Sequence, residues 1–109
     1  MAKVTTVQEI FDNLDEGFQP DKSEGVDAIF QFDLTGDNGG KYWVKVANQQ
    51  AQVGEGQHEA PTMTITATAD DYIALINGEL APMTAFMQGK VKVKGDMGLA
   101  LKLQSIFGL

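Results

Sequence analysis

Few residues in this 109-residue chain could do covalent chemistry. The only histidine, His58, lies in the polar run EGQHEAPT, residues 55–62, with Glu55 and Glu59 near it. It has no second histidine with which to build a metal site, and it reads as an exposed loop side chain. Asp70 and Asp71 are adjacent carboxylates that could share acid–base work. They open a run of helical period, however, where acidic side chains are favoured by the helix N-terminus. Ser23 and Ser105, the only serines, sit outside any nucleophile-elbow context. Gly36-Asp37-Asn38-Gly39-Gly40 joins two strand-like runs rather than a strand and a helix, so it does not read as a phosphate loop. The absence of cysteine excludes disulfides, thiolate catalysis and cysteine-ligated metal. These residues form no catalytic constellation, and a non-enzymatic protein without cofactor or metal is expected. The alternative, a small α+β enzyme or accessory domain acting on an apolar substrate, would have to use Asp70, Asp71 or His58 as acid or base.

What the chain offers instead is flexible apolar side chains in neighbouring elements. In GKVKVKGDMGLALKLQSIF, residues 89–107, Val91 and Val93 alternate with Lys90, Lys92 and Lys94, the period of a half-buried strand. Gly95 stops that strand, and Asp96 is placed to cap the helix that follows. At about 100° per residue, Leu99, Ala100, Leu103, Ile106 and Phe107 form one stripe of this helix, and Met97 and Leu101 a second beside it. Gly98, Lys102 and Ser105 make the polar face. Packing on one sheet needs one stripe, so the second needs another apolar partner: more of this protein, another chain, or an apolar ligand. Gln104 lies between the stripes, where an amide is costly without a hydrogen bond. Just upstream, Met83, Phe86 and Met87 form a further apolar face, and methionine adapts to varied apolar surfaces.

Gly89-Lys90-Val91-Lys92-Val93, followed by Gly95-Asp96-Met97-Gly98-Leu99-Ala100-Leu101-Lys102-Leu103-Gln104, resembles the C-terminal signature of the sterol carrier protein type 2 family. Leu80-Ala81-Pro82-Met83-Thr84-Ala85-Phe86-Met87-Gln88-Gly89 is similar to that family's segment before the last strand. Trp43 on an early strand and Asp70-Asp71-Tyr72 at the start of a short helix match as well. The likeness is dense over residues 63–104 and looser, in order, over 26–56; residues 1–20 match only as an amphipathic helix. It implies an α+β fold with a five-stranded sheet and an apolar tunnel for sterols, fatty acids or acyl-CoA. It therefore implies non-enzymatic lipid binding and transfer, with the tunnel closed by the C-terminal helices. On that basis Met83, Phe86, Met87, Met97, Leu101 and Gln104 are expected to face the ligand. Leu99, Leu103 and Ile106 are expected to pack on the sheet. Family members also occur fused to enzymes, which leaves open an interaction module docking through its last helix.

Composition bounds these readings. The length suits one domain, residues 1–109. With 43% apolar and 21% charged residues a core can form, as in an ordinary globular chain. A net charge of −7 argues against nucleic acid and against electrostatic docking on anionic membranes. The cluster Lys90, Lys92, Lys94 and Lys102 is the local exception, read as solvated outward positions. No apolar run has the length of a membrane span, so no stable membrane insertion is expected. No signal peptide opens the chain, and Phe107-Gly108-Leu109 lacks the peroxisomal pattern of small, basic and leucine; a cytoplasmic protein is expected. Oligomeric state is left open.

Taken in order, Thr5 or Thr6 is placed to cap a first helix, with Gln8 or Glu9 completing a capping box. Val7, Ile10, Phe11, Leu14 and Phe18 share one face, and Gly17 ends the helix. A polar connection, residues 19–25, leads to a strand in which Ala28, Phe30, Phe32 and Leu34 alternate with polar neighbours and Ile29. The returning strand 41–47 puts Tyr42, Val44 and Val46 on one face and Trp43 on the other, where Trp43 is expected in a core beneath a helix. A turn at 48–50, a weak strand 51–54 and a strand 63–68 follow. Two helices, one around Tyr72–Ile76 and one from Pro82, precede the last strand. The order α-β-β-β-β-α-α-β-α predicts an α+β domain with a five-stranded, mostly antiparallel sheet. The last strand, reached through two helices, is expected to be the one parallel to a neighbour.

Overall fold

The computed structural model describes residues 4–95 and 97–107, apart from the side chains of Asp15, Met97, Ala100, Gln104 and Phe107. The expected Asp96 cap lies outside the described residues.

Helix α1 (Val7–Asp12) starts where the Thr6 hydroxyl accepts the Glu9 N–H at 3.2 Å. The Thr5 and Thr6 hydroxyls donate to the Glu9 carboxylate at 2.6 and 3.2 Å, and the Thr5 bond holds that carboxyl below its usual range. The predicted single helix breaks at Asn13, and a short α2 (Leu14–Gly17) follows. Asparagine competes for backbone hydrogen bonds and is a poor helix-interior residue, which accounts for the break. A 3₁₀ turn at Pro20–Ser23 orders the connection to the sheet.

The strands are β1 (Ala28–Thr35), β2 (Gly40–Ala47), β3 (Gln50–Glu55), β4 (Met63–Thr68) and β5 (Val91–Lys94). Asn48 and Gln49, with φ of 53° and 59°, make the tight β2–β3 turn in the left-handed region. The five strands form one sheet in the order β3-β2-β1-β4-β5. It is an α+β fold with a mostly antiparallel sheet, and its one parallel pair is β1–β4, with Phe32 opposite Ile65. The expectation that β5 is the parallel strand is therefore corrected: β5 runs antiparallel to β4, with Val93 opposite Ile65. A connection through two helices, α3 (Ala69–Ile76) and α4 (Pro82–Met87), returns the chain to the end of β4 that it left. The parallel pair arises earlier, because β2 already occupies one edge of β1 and loop 56–62 carries the chain to the other.

Gln31 shows how that crossing is held. It lies in mid-β1, fully buried on the sheet face opposite the helices. Its Nε2 donates to the Gly56 carbonyl at 3.1 Å and to Asp33 Oδ1 at 3.2 Å, and its Oε1 accepts the His58 N–H at 2.9 Å. Thr62 then takes its place beside Ile29, accepting the Ile29 N–H on its hydroxyl at 2.9 Å. Trp43 does lie opposite Tyr42, Val44 and Val46, but its cover is this loop rather than a helix. Its ring meets His58 edge-on at 5.1 Å, and a Cβ on Gly54 would fall 2.2 Å from it.

The core lies on the other face. Ala28, Phe30, Phe32 and Leu34 of β1 and Tyr42, Val44 and Val46 of β2 are buried beneath α1, α3 and α5 (Met97–Phe107). Leu103 and Ile106 of α5 are buried and Leu99 is half-buried against this core, the stripe expected to face the sheet. The Gln19 N–H donates to the Ile106 carbonyl at 2.7 Å and ties down the end of α5.

Candidate functional site

A cavity of about 380 Å³ lies between the helices and the sheet. Its floor is Phe32 of β1 and Val44 of β2, two residues that strand parity turns toward the helices. Ile10 and Phe11 of α1 and Leu14 of α2 form one wall; Tyr72, Leu75 and Ile76 of α3 form the other. Leu80, Pro82 and Leu103 complete it, and Glu9, Asn13 and Glu16 give it a polar border.

Local sequence fixes each wall. α3 is capped by Thr68, whose hydroxyl accepts the Asp71 N–H at 3.1 Å; Asp70 and Asp71 occupy the first turn. The helix then points Tyr72 and Ile76, one turn apart, in the same direction. Four rings join the two walls through the floor. Tyr42 stacks on Phe11 at 4.2 Å, Phe11 meets Phe32 edge-on at 5.2 Å, and Phe32 meets Tyr72 at 5.8 Å. Such pairs add stability beyond the area they bury, so the lining is held rigidly on this side. Burial pushes the Tyr72 phenol well above its ordinary range, and it stays neutral at physiological pH. Burial also raises Tyr42, with Glu55 and Asp12 adding to it; its hydroxyl lies 3.0 Å from Gln8 Oε1, to which it donates. Among the described residues the lining is thus uncharged and mostly hydrocarbon away from its border, suited to an apolar molecule and without an acid–base pair.

The residues expected to face a ligand are placed differently. Met83, Phe86 and Met87 of α4 and Leu101 of α5 are 64%, 42%, 78% and 58% exposed, and none of the four lines the cavity. The side chains of Met97 and Gln104 lie outside the described residues. The physical reason is helix orientation. α4 turns Ala85 fully inward, which leaves Met83 and Met87, together one turn apart, on the outward side. Leu103 and Ile106 point α5 inward, and Leu101 projects away from them.

Leu103, expected to pack on the sheet, is buried there and also lines the cavity. The lining residues of α1, α2 and α3 are not among those expected from sequence to face a ligand. Their signal was present: two amphipathic helices present large apolar faces to the same face of one sheet. His58 sits on the opposite face of the sheet from α3, so it is not brought together with Asp70 and Asp71. Among the described residues no group of three His, Cys, Asp or Glu side chains could hold a metal ion.

A helix-covered mixed sheet of this order, with an apolar cavity beneath its helices, is the architecture of a small binding domain. The model of the SCP-2 sterol transfer family matches residues 7–108, and the chain belongs to that family. It is 34% identical over 103 residues to hydroxysteroid dehydrogenase-like protein 2 of Xenopus laevis, covering 94% of this chain and 25% of that protein. The chain thus spans about a quarter of the length of the curated relatives it matches. Palmitated SCP2L2 from Aedes aegypti superposes with a TM-score of 0.72 at 25% identity, covering 93% of this chain and 89% of the other. The inverting sec-alkylsulfatase Pisa1 from Pseudomonas sp. superposes with a TM-score of 0.78 at 25% identity, over all of this chain and 17% of the sulfatase.

Proposed function

We propose that residues 1–109 act as one lipid-binding unit that takes up a long-chain fatty acid, fatty acyl-CoA or sterol and hands it on unchanged. The cavity between sheet and helices carries this reading. Its volume of about 380 Å³ falls in the range of about 300–1,000 Å³ that small-molecule sites occupy. The palmitated Aedes relative supports an acyl chain as occupant. Burying an acyl chain of about 16 carbons yields roughly 12 kcal/mol gross, at about 0.8 kcal/mol per CH₂. Association and chain ordering cost about 4–15 kcal/mol, so at the low end of that cost affinity reaches about the micromolar range. That suits reversible carriage. α4 begins on the cavity at Pro82 and continues outside it as Met83, Phe86 and Met87. In this proposal those residues, with Leu101, Met97 and Gln104, meet the part of a long ligand that passes the mouth.

The domain itself performs no covalent step. In a second setting we propose for the same activity, the chain acts as a lipid-presenting accessory unit; its match to a quarter of a dehydrogenase-like protein and a sixth of a sulfatase supports this. Titration with a fluorescent fatty acid tests the binding itself. Saturable one-to-one binding near micromolar is expected, and Ile76→Trp, which fills the cavity, should weaken it at least tenfold. No saturable binding to folded protein overturns the reading.

A further inference from the structure

The charge of the chain is divided sharply. Residues 1–79 hold four of the eight lysines and 14 of the 15 acidic residues, a net −10; residues 80–109 hold the other four lysines and only Asp96, a net +3. Residues 80–95 contain three lysines and no acid. Every large apolar side chain that is exposed among the described residues falls in this positive part: Met83, Phe86, Met87 and Leu101.

The fold joins these features. α4 ends in a turn that leads directly into β5, the Gly89 N–H donating to the Phe86 carbonyl at 3.1 Å and the Lys90 N–H to the Ala85 carbonyl at 2.9 Å. β5 is an edge strand, so nothing in the sheet lies beyond it. Lys90, Lys92 and Lys94 are exposed, and Val91 and Val93 pair with Ala67 and Ile65 of β4. One end of the molecule therefore presents a Met-Phe-Met face beside a lysine edge, next to the Leu80–Pro82 side of the cavity.

We propose that this α4–β5 end docks the domain on an anionic lipid surface. Charge complementarity selects that occupant. Lysine stems reach past apolar surface and leave the ammonium at headgroup level, while methionine and phenylalanine enter the acyl boundary. A protein partner fits less well, because protein interfaces are enriched in arginine and depleted in lysine, and this chain has no arginine. The whole-chain charge of −7 hides the patch, since screening confines its field to roughly 8–10 Å. The inference deepens the lipid-carrier reading, on which it rests: it brings the Leu80–Pro82 side of the cavity to the surface from which a lipid is taken.

Co-sedimentation tests it, using vesicles of phosphatidylcholine alone and of equimolar phosphatidylcholine and phosphatidylglycerol. Binding is expected only to the anionic vesicles, with loss at high salt. Each lysine near such a surface is worth about fivefold, so Lys90→Gln/Lys92→Gln/Lys94→Gln should weaken binding about 100-fold. Met83→Gln/Met87→Gln should also weaken it, by about tenfold. Lys22→Gln/Lys41→Gln/Lys45→Gln, in the acidic part, should leave it within about twofold. All of these positions are exposed, and thermal melts check that the variants stay folded. The cavity-filling Ile76→Trp should dock as wild type, which separates failure of docking from failure of ligand binding. No binding to anionic vesicles, or an equal loss from both lysine triples, overturns the proposal.

Discussion

Val4 and Asn77 hold each other through two hydrogen bonds of 2.9 Å: the Val4 N–H donates to Asn77 Oδ1, and Asn77 Nδ2 donates to the Val4 carbonyl. Asn77 is the C-cap of α3, so the pair joins the start of the chain to the end of a cavity wall. Val4 and Ile76 both line the cavity, which makes this clasp one of its closures. Asn77→Ala removes both bonds, and at about 0.5–1.5 kcal/mol each the loss should be roughly 1–3 kcal/mol in chemical denaturation. Release of a bound fluorescent fatty acid should also quicken. Unchanged stability and unchanged release would show that the clasp closes nothing.

Two buried residues of α5 separate packing from lining. Ile106 is fully buried and is not among the cavity residues, whereas Leu103 is buried and opens onto the cavity. Truncation to alanine in a core costs about 2–5 kcal/mol, depending on how many neighbours are lost. Ile106→Ala should fall near the upper end and Leu103→Ala near the lower. Leu103→Ala should in addition change affinity for the fatty acid, and Ile106→Ala should not at temperatures where it stays folded. Urea midpoints and ligand titrations on the two variants check both halves; the reverse order of costs would mean the two residues have exchanged roles.

Strand parity was fully legible from sequence: the alternation in Ala28, Phe30, Phe32 and Leu34 and in Tyr42, Val44 and Val46 assigns the core face without further information. The parallel β1–β4 pairing was not, because it depends on a loop crossing held by Gln31, which in sequence is one more polar outward position. The direction in which α4 faces was also hidden. Its six residues include four large or medium apolar ones, and only packing reveals that Ala85 is the inward one. The cavity is the hardest feature to foresee. Hydrophobic period tells which side chains face the sheet, and it does not tell whether they fill the space they enclose.

Gly54 makes room for Trp43. A Cβ at this position would stand 2.2 Å from two ring atoms of the indole, which His58 also contacts. Gly54→Ala should therefore displace the ring and cost about 1–3 kcal/mol, the usual range for overpacking. The displacement should appear as a shift in tryptophan emission, since Trp43 is the only tryptophan. Because Trp43 lies on the face away from the cavity, fatty acid binding should leave that emission almost unchanged. A mutation without effect on either stability or emission would show that the indole is not confined by the β3 backbone.

Tyr72 should make the fold sensitive to alkali. Burial raises its phenol above the ordinary value of 10.0, because the phenolate cannot be solvated between α3 and the Phe32 ring. The folded chain then keeps a proton that the unfolded chain releases once pH passes 10.0. Stability from this group is fully present below that pH and is lost as pH rises toward the folded value, with a slope of up to about 1.4 kcal/mol per pH unit. Tyr72→Phe keeps the ring and removes the titration. Other groups titrate in the same range, and they cancel when the variant is compared with wild type at each pH. Urea unfolding of both proteins between about pH 8 and about pH 11 should thus give a constant difference at first. Above about pH 10 that difference should shrink or change sign, as wild type loses stability that the variant, which has no phenol to ionise, retains. A difference that stays constant to the alkaline limit would mean that the Tyr72 hydroxyl is solvated, and that the cavity it lines is wet rather than apolar.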